Sequence, residues 1–437
     1  MTETTKSSWA GRIGSIGAAT LTASVLGFIL LALVARILTP DQNAAFLSIW
    51  GLVFAFGSII SSSEQEVARQ STVAHLAGRK VPGGVVQVAG FVLSVSLIGV
   101  LVLAALPAGS ALFAGSVELV VLTIVCVSGL AGQFFWRGVF LGISEIHRYV
   151  GVIIMEALLR VGFALAFLLL LDSAPLSAPV AAVAVGCFAW VPFSFSKFRV
   201  VEWRGSFDPW AEVLRNMGPL ALATGLSAVV LTAYPSLVTS ILGDSRGLAT
   251  LFGVVTLTRV PIVLMTPFQA LTVPITTRLV TEGRTRELSG MQVKLALGAT
   301  ALAVVIGVGG YLLGPWGMRV FMGPQYDASG ALVATLLASS VYIAAALMQA
   351  AVCVALQRYS LVLGVWIVSV AAAVVTLVTV PGSNEIRGMW GFVAASFAAY
   401  FASTFLLRRA IRHRVTGDAT AKDEAGRAGE SDRETSS

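Results

Sequence analysis

The chain has 437 residues, 57% hydrophobic and only 12% charged, with a formal net charge of +7 and a mean hydropathy of +0.87. Soluble domains carry about 25% charged residues; here the deficit runs along nearly the whole chain, which excludes both a soluble protein and a lone anchor on a soluble domain. The cysteines (Cys126, Cys187, Cys353) lie in apolar stretches and the histidines (His75, His147, His413) are scattered, so no disulfide framework, metal site or cofactor is expected.

A spanning helix needs about 20 mainly apolar residues. Twelve stretches qualify: 13–36, 44–63, 84–106, 117–139, 150–171, 176–196, 217–242, 250–275, 292–314, 330–354, 360–380 and 388–408. The first has no small-residue cleavage site behind it and runs into Ala35-Arg36-Ile37-Leu38, so it reads as a retained helix, not a signal peptide. Spans five and six are separated only by Asp172-Ser173-Ala174-Pro175. Span seven contains Pro219 and Pro235, and span eight Pro261, Pro267 and Pro274. Proline inside a helix removes a backbone bond and bends it, which suits a protein that alternates between two openings and equally suits static kinks.

Lys and Arg favour cytoplasmic loops. One set of loops and flanks holds twenty cations ahead of the distal tail, among them Lys6, Arg12, Arg69, Arg79, Arg148, Lys197 and Arg408; the other set holds four, Arg36, Arg246, Arg319 and Arg387. Both termini are therefore expected in the cytoplasm, and the positive charge reports orientation, not nucleic-acid binding. Beyond Arg414 the chain is polar and aperiodic, as a disordered tail would be. The expected organisation is an N-lobe over 1–200 (spans one to six), a C-lobe over 201–411 (spans seven to twelve) and a disordered cytoplasmic tail over 412–437. Arginine far outnumbers lysine, a high-GC bacterial bias, so the expected location is a bacterial inner (plasma) membrane.

The halves repeat. Residues 98–115, IGVLVLAALPAGSALFAG, align with 306–323, IGVGGYLLGPWGMRVFMG, matching Pro107 with Pro315, Gly109 with Gly317, Phe113 with Phe321 and Gly115 with Gly323. Arg148-Tyr149 and Arg358-Tyr359 precede the fifth and eleventh spans. Six spans per half give both halves the same orientation, hence a pseudo-two-fold axis along the membrane normal and a cavity at the seam.

An ionisable side chain at bilayer depth is costly, so each is a candidate for function. Arg160 lies near the middle of span five, with Glu156 four residues earlier on the same face, an order that favours an ion pair. That pair either pins span five to a neighbour or serves the transport path, with Glu156 carrying a proton or only neutralising Arg160. Arg259, near the middle of span eight, has no carboxylate within a turn. Arg36 and Arg137, at span ends, reach headgroups by snorkelling or join the path. Glu64, Glu66 and Arg69, just past span two, form a solvated rim or a cytoplasmic gate. Converging arginines make a net positive cavity suited to phosphate or pyrophosphate. Gln133, Gln269, Gln349 and Tyr234 are weaker candidates for sugar hydroxyls.

Together, twelve spans, the arginine of span five, Gly317-x-x-x-Phe321-x-Gly323-x-x-Tyr326, Arg36-Ile37-Leu38-Thr39-Pro40 and Arg137-Gly138…Gly142 resemble the polysaccharide-transport branch of the multidrug/oligosaccharidyl-lipid/polysaccharide exporter superfamily, which includes the Wzx-type O-antigen flippases. The resemblance covers about residues 10–411. It implies an all-α membrane protein of two parallel six-helix lobes in a V, alternating access, and export of a polyprenyl-(pyro)phosphate-linked saccharide whose lipid tail stays in the bilayer. It also implies cavity arginines, a description that Arg160 and Arg259 match. Expected partners are the lipid-linked saccharide, membrane lipids and cell-envelope glycosyltransferases or a polymerase. A small-molecule or drug exporter of the same superfamily is the alternative, although Glu156 is the only carboxylate comparable to the first-lobe acids of drug exporters. No acid pair or nucleophile–base set supports an enzyme.

Overall fold

The computed structural model describes residues 3–170, 175–204, 210–263, 265, 285–355 and 359–434. The N-terminal half consists of α1 (Glu3–Ile37), α2 (Pro40–Leu76), α3 (Gly84–Ala105), α4 (Pro107–Leu112), α5 (Val117–Gly142), α6 (Ile146–Leu170), α7 (Ser177–Cys187) and α8 (Val191–Ser194), which passes into a 3-10 turn, Phe195–Val200. The C-terminal half consists of α9 (Trp210–Leu231), α10 (Tyr234–Leu242), α11 (Ala249–Leu257), α12 (259–263), α13 (Thr285–Met322), α14 (Gly330–Ala355), α15 (Tyr359–Thr379) and α16 (Asn384–Glu434).

Local chemistry sets several boundaries. The α1–α2 turn is fixed by a capping box: the Thr39 side chain accepts from Gln42 N while the Gln42 side chain accepts from Thr39 N, with Pro40 opening the helix. Both repeats end on a left-handed glycine, Gly115 at φ +68° and Gly323 at φ +120°, a conformation that favours glycine. Between these landmarks they diverge. Leu106 is extended (φ −80°, ψ 154°) and a new helix starts at Pro107, whereas α13 runs unbroken through Pro315. Proline clashes with the Cβ of the residue before it; Leu106 has that atom and Gly314 does not.

The span count differs from twelve. Among the described residues ten helices are long and apolar enough to cross a membrane, and α9 with α10, bent by 77°, makes an eleventh if taken as one span. The bend falls at Thr232-Ala233, where Pro235 cannot donate to the ladder. Span eight becomes the shorter apolar stretch Ala249–Val263, interrupted at Thr258; its remainder, with Pro267, Gln269 and Pro274, lies outside the described residues, as do Asp172 to Ala174, Arg278, Arg284 and Arg358. Span two is far longer than 44–63, because Val67, Ala68, Ser71 and Ala74 continue a buried helical face beyond the serine run. Finally, α16 carries helix to Glu434, through the segment that composition assigns to a disordered tail.

Within each half, helices pack chiefly on one another: α2 on α5, α1 on α6, α5 on α7, and then α13 on α14 and α15 on α16. The halves meet where α2 lies along α9, α10 and α11, and where α1 touches α13. Close approach at this seam needs a small residue: a Cβ on Gly51 of α2 would come within 2.7 Å of both the Thr232 carbonyl oxygen and Ala233 Cα.

Candidate functional site

One cavity of about 500 Å³ lies between the halves. Its walls are one face of α1 from Thr20 to Leu31, one face of α2 from Trp50 to Ser61, Leu130 to Arg137 of α5, Ile153 to Arg160 of α6, and Arg259 and Val263 of α12. Arg137, Glu156, Arg160 and Arg259, all singled out from the sequence, line this single space.

The cations are held differently. Arg160 is buried and paired with Glu156 one turn earlier, and Gln133 donates to the same carboxylate. The Arg160 guanidinium also lies 5.7 Å from the Trp50 ring and 5.1 Å from the Phe54 ring, and Nη2 donates to Cys187 Sγ at 3.6 Å. Gly186 of α7 sits against the Arg160 stem, where a Cβ would come within 2.9 Å of Nε. The small residue is what lets this long side chain lie along α7.

Arg137 is paired through a tertiary network. Its Nη2 lies 3.4 Å from Glu64 Oε2 and donates to Tyr149 Oη at 2.9 Å, while that hydroxyl donates to Glu64 Oε1 at 2.9 Å. Gly138 and Gly142 allow it: a Cβ on either would come within 2.7 Å of an α2 carbonyl, Glu64 O and Ala68 O respectively. So α2 and α5 nearly touch, and Glu64, a solvated-rim or gate candidate by sequence, is instead buried inside α2.

Arg259 is different again. Nη2 donates to the Thr232 carbonyl at 3.0 Å, the oxygen exposed by the α9–α10 bend, and no carboxylate pairs with it among the described residues. The three guanidiniums thus face two carboxylates, leaving a net positive site. Each Nε–H of the three lacks an acceptor among the described residues.

Other candidates lie elsewhere. Arg36 is outside the cavity and donates to Val320 O of α13 at 2.7 Å. Glu66, largely covered, pairs at i, i+3 with the exposed Arg69 on α2. Tyr234 donates to Gly388 O at 2.6 Å, and Gln349 to Thr404 Oγ1 at 3.0 Å. The sequence reading missed Tyr149, Trp50, Phe54 and Cys187; only the aromatics of span two carried any signal, as large rings in a polar-lined path. The hydroxyls of Thr20, Ser24, Ser58 and Ser61 also line the cavity, each donating to its own helix and keeping lone pairs free. Outside the spans, Glu145 joins α5 to the 3-10 turn: Lys197 binds it, with His147 Nε2 at 3.1 Å and Arg148 Nε at 3.4 Å. The Lys197 hydrogen bond holds its carboxyl below the ordinary range.

No family model matches the chain. It is 27% identical over 381 residues to an uncharacterised protein of Mycobacterium tuberculosis, covering 85% of this chain and 86% of that one. It is 29% identical over 374 residues to an uncharacterised protein of Mycobacterium bovis, covering 80% and 82%. Among solved structures, an inward-facing multidrug resistance MATE family transporter of the MOP superfamily superposes with a TM-score of 0.68 at 16% identity, over 91% of this chain and 98% of that one. An outward-facing MATE transporter gives 0.57 at 16% identity over 92% and 96%. A MOP superfamily transporter from Pyrococcus furiosus, described as having a binding pocket of reverse polarity, gives 0.57 at 16% identity over 92% and 95%. The helices of this chain therefore adopt the two-lobed fold of MATE family transporters.

Proposed function

We propose that this protein is an exporter that carries a polyprenyl-(pyro)phosphate-linked saccharide from the inner to the outer leaflet by alternating access. The observation that carries the reading is the convergence of Arg137, Arg160 and Arg259 on one cavity where, among the described residues, three guanidiniums meet two carboxylates. Arginine holds phosphate oxygens through two parallel donors. Trp50 and Phe54, with centroids 4.5 Å apart, give a sugar ring an apolar face, and the four wall hydroxyls accept from its hydroxyls. A cavity of about 500 Å³ falls in the range of roughly 300–1,000 Å³ usual for small-ligand sites. It takes a headgroup, and the polyprenyl chain stays in lipid.

The seam supports alternating access. On the Arg36 side of the cavity the halves are tied by Arg36 to Val320 O, Gln325 Nε2 to Ala35 O at 3.0 Å and Gly247 N to Asp41 Oδ1 at 3.0 Å. All lining residues of α1 and α2 fall on one side of these bonds, which close the seam on the Arg36 side.

The test is flipping of lipid-linked saccharides by the purified protein in proteoliposomes. Outer-leaflet appearance that depends on the protein and is lost in the Arg160→Ala, Arg259→Ala double variant is expected; unchanged flipping by the double variant overturns the assignment. A second reading, a small-molecule or drug exporter, draws on Glu156 in the cavity wall and on the MATE-like fold. Uptake of cationic dyes into inverted vesicles, lost in Glu156→Gln, favours it.

A further inference from the structure

Arg259 belongs to two structures at once. It lines the cavity, and it caps the bend between α9 and α10 by donating to Thr232 O at 3.0 Å. Just beyond that bend, α10 supplies the buried polar part of the seam: Ser236 Oγ donates to Ser48 O at 2.5 Å, and Thr239 Oγ1 lies 2.9 Å from Ser48 Oγ. On the other side Gly51 of α2 lies against Thr232 and Ala233 with no room for a Cβ. The carbonyl that holds Arg259 is therefore part of the surface that holds the halves together.

We propose that Arg259 couples occupancy of the cavity to the seal between the halves. An anion in the cavity and the Thr232 carbonyl compete for one guanidinium. Arg160 and Arg137 each keep a carboxylate partner, whereas Arg259 is held by a neutral oxygen, which a charged phosphate outcompetes. Once Arg259 turns to the anion, the bend loses its cap, α10 is free to shift against α2, and the Ser48–Ser236–Thr239 contacts part. An empty cavity keeps the seal shut, so the outer side opens only when loaded. The ligand half of this mechanism rests on the anion-binding reading above; the link from Arg259 to the seal does not.

The experiment reads the seal directly. Ser48 is fully buried, so in a Ser48→Cys background the maleimide labelling rate at residue 48, followed by mass spectrometry, reports opening of the seam. Without ligand, Arg259→Met is expected to raise that rate about tenfold, the shift that loss of a hydrogen bond from a charged group produces, while Arg259→Lys, which keeps a donor and the charge, stays near the parent. Equal rates in Arg259→Met and the parent overturn the proposal. If Arg259→Met does not yield folded protein, the parent decides. Inorganic pyrophosphate, its binding followed by phosphorus NMR, is expected to raise labelling as it binds, and binding without a change in rate overturns the coupling while leaving the anion site standing. Absence of pyrophosphate binding overturns the anion site instead, and the ligand-free comparison still decides the link to the seal.

Discussion

The N-terminal half surrounds the cavity with paired charge; the C-terminal half contributes Arg259, which among the described residues has no carboxylate partner. Arg160 has Glu156 and Arg137 has Glu64, whereas Arg259 has a backbone carbonyl. A repeat in sequence therefore does not mean a repeat in electrostatics. Paired arginines are affordable in a membrane because the pair is nearly neutral. An arginine held by a neutral oxygen keeps its charge available, and under the proposed function that asymmetry assigns the response to an anionic ligand to the C-terminal half.

The largest expected effect comes from removing both kinds of cation together. A hydrogen bond to a charged group contributes roughly 1.5–3 kcal/mol, about 10- to 100-fold per arginine, so Arg160→Ala with Arg259→Ala is expected to lower flipping of a lipid-linked saccharide by at least about 100-fold in proteoliposomes. Equal losses from the two single variants would erase the distinction between paired and unpaired cations.

The comparison predicts unequal consequences for folding. Removing one partner of a buried ion pair costs about 3–5 kcal/mol, because the other charge is stranded. Glu156→Gln and Glu64→Gln are thus expected to lower the thermal midpoint in detergent clearly. Arg259→Met, which strands no carboxylate among the described residues and removes one hydrogen bond to Thr232 O, is expected to lower that midpoint clearly less. A loss for Arg259→Met as large as for Glu156→Gln breaks the comparison.

These differences also mark what the sequence could reveal. Glu156 and Arg160 were legible as a pair because both partners sit one turn apart on one helix. Arg259 stood out because mid-span cations are rare. Glu64 with Tyr149 and Arg137 was not legible, since the hydrogen bond from Tyr149 to Glu64 joins residues 85 apart in sequence and depends on glycines that let α2 meet α5. The contact of Arg36 was not legible for the same reason: its partner is a backbone carbonyl 284 residues away. Hydropathy found most spans, because burial in lipid writes itself into composition. It missed the 77° break and the extra length of α2, which are decided by ladder hydrogen bonds and a buried face.

A smaller change sharpens the paired side. Tyr149→Phe keeps the ring under Arg137, whose guanidinium carbon is 4.9 Å from its centroid, and removes only the bridging hydroxyl. With the direct Arg137–Glu64 pair still present, a loss of about 1 kcal/mol is expected from equilibrium unfolding. A loss matching that of Glu64→Gln would mean that the hydroxyl, and not the carboxylate, neutralises Arg137.

The smallest effect lies outside the bilayer, at Glu145. Its carboxyl is held below the ordinary value of 4.5, chiefly by the Lys197 hydrogen bond. A carboxyl with a depressed folded pKa contributes its full share of stability above its unfolded value, and that share is lost as pH falls through the folded one. The link between the α5–α6 turn and the 3-10 segment is therefore intact at neutral pH and released only on acidification below the ordinary carboxylate range. Exposed pairs of this kind contribute about 0–1 kcal/mol, so the expected readout is local: faster amide exchange over residues 143–149 at low pH, after correction for intrinsic rates, with the rest of α5 unchanged. Glu145→Gln is expected to exchange fast at every pH. If the variant instead follows the same pH profile as the parent, another carboxyl governs the turn. Glu64 is then the first to test, because its bond from Tyr149 reaches the same end of α6.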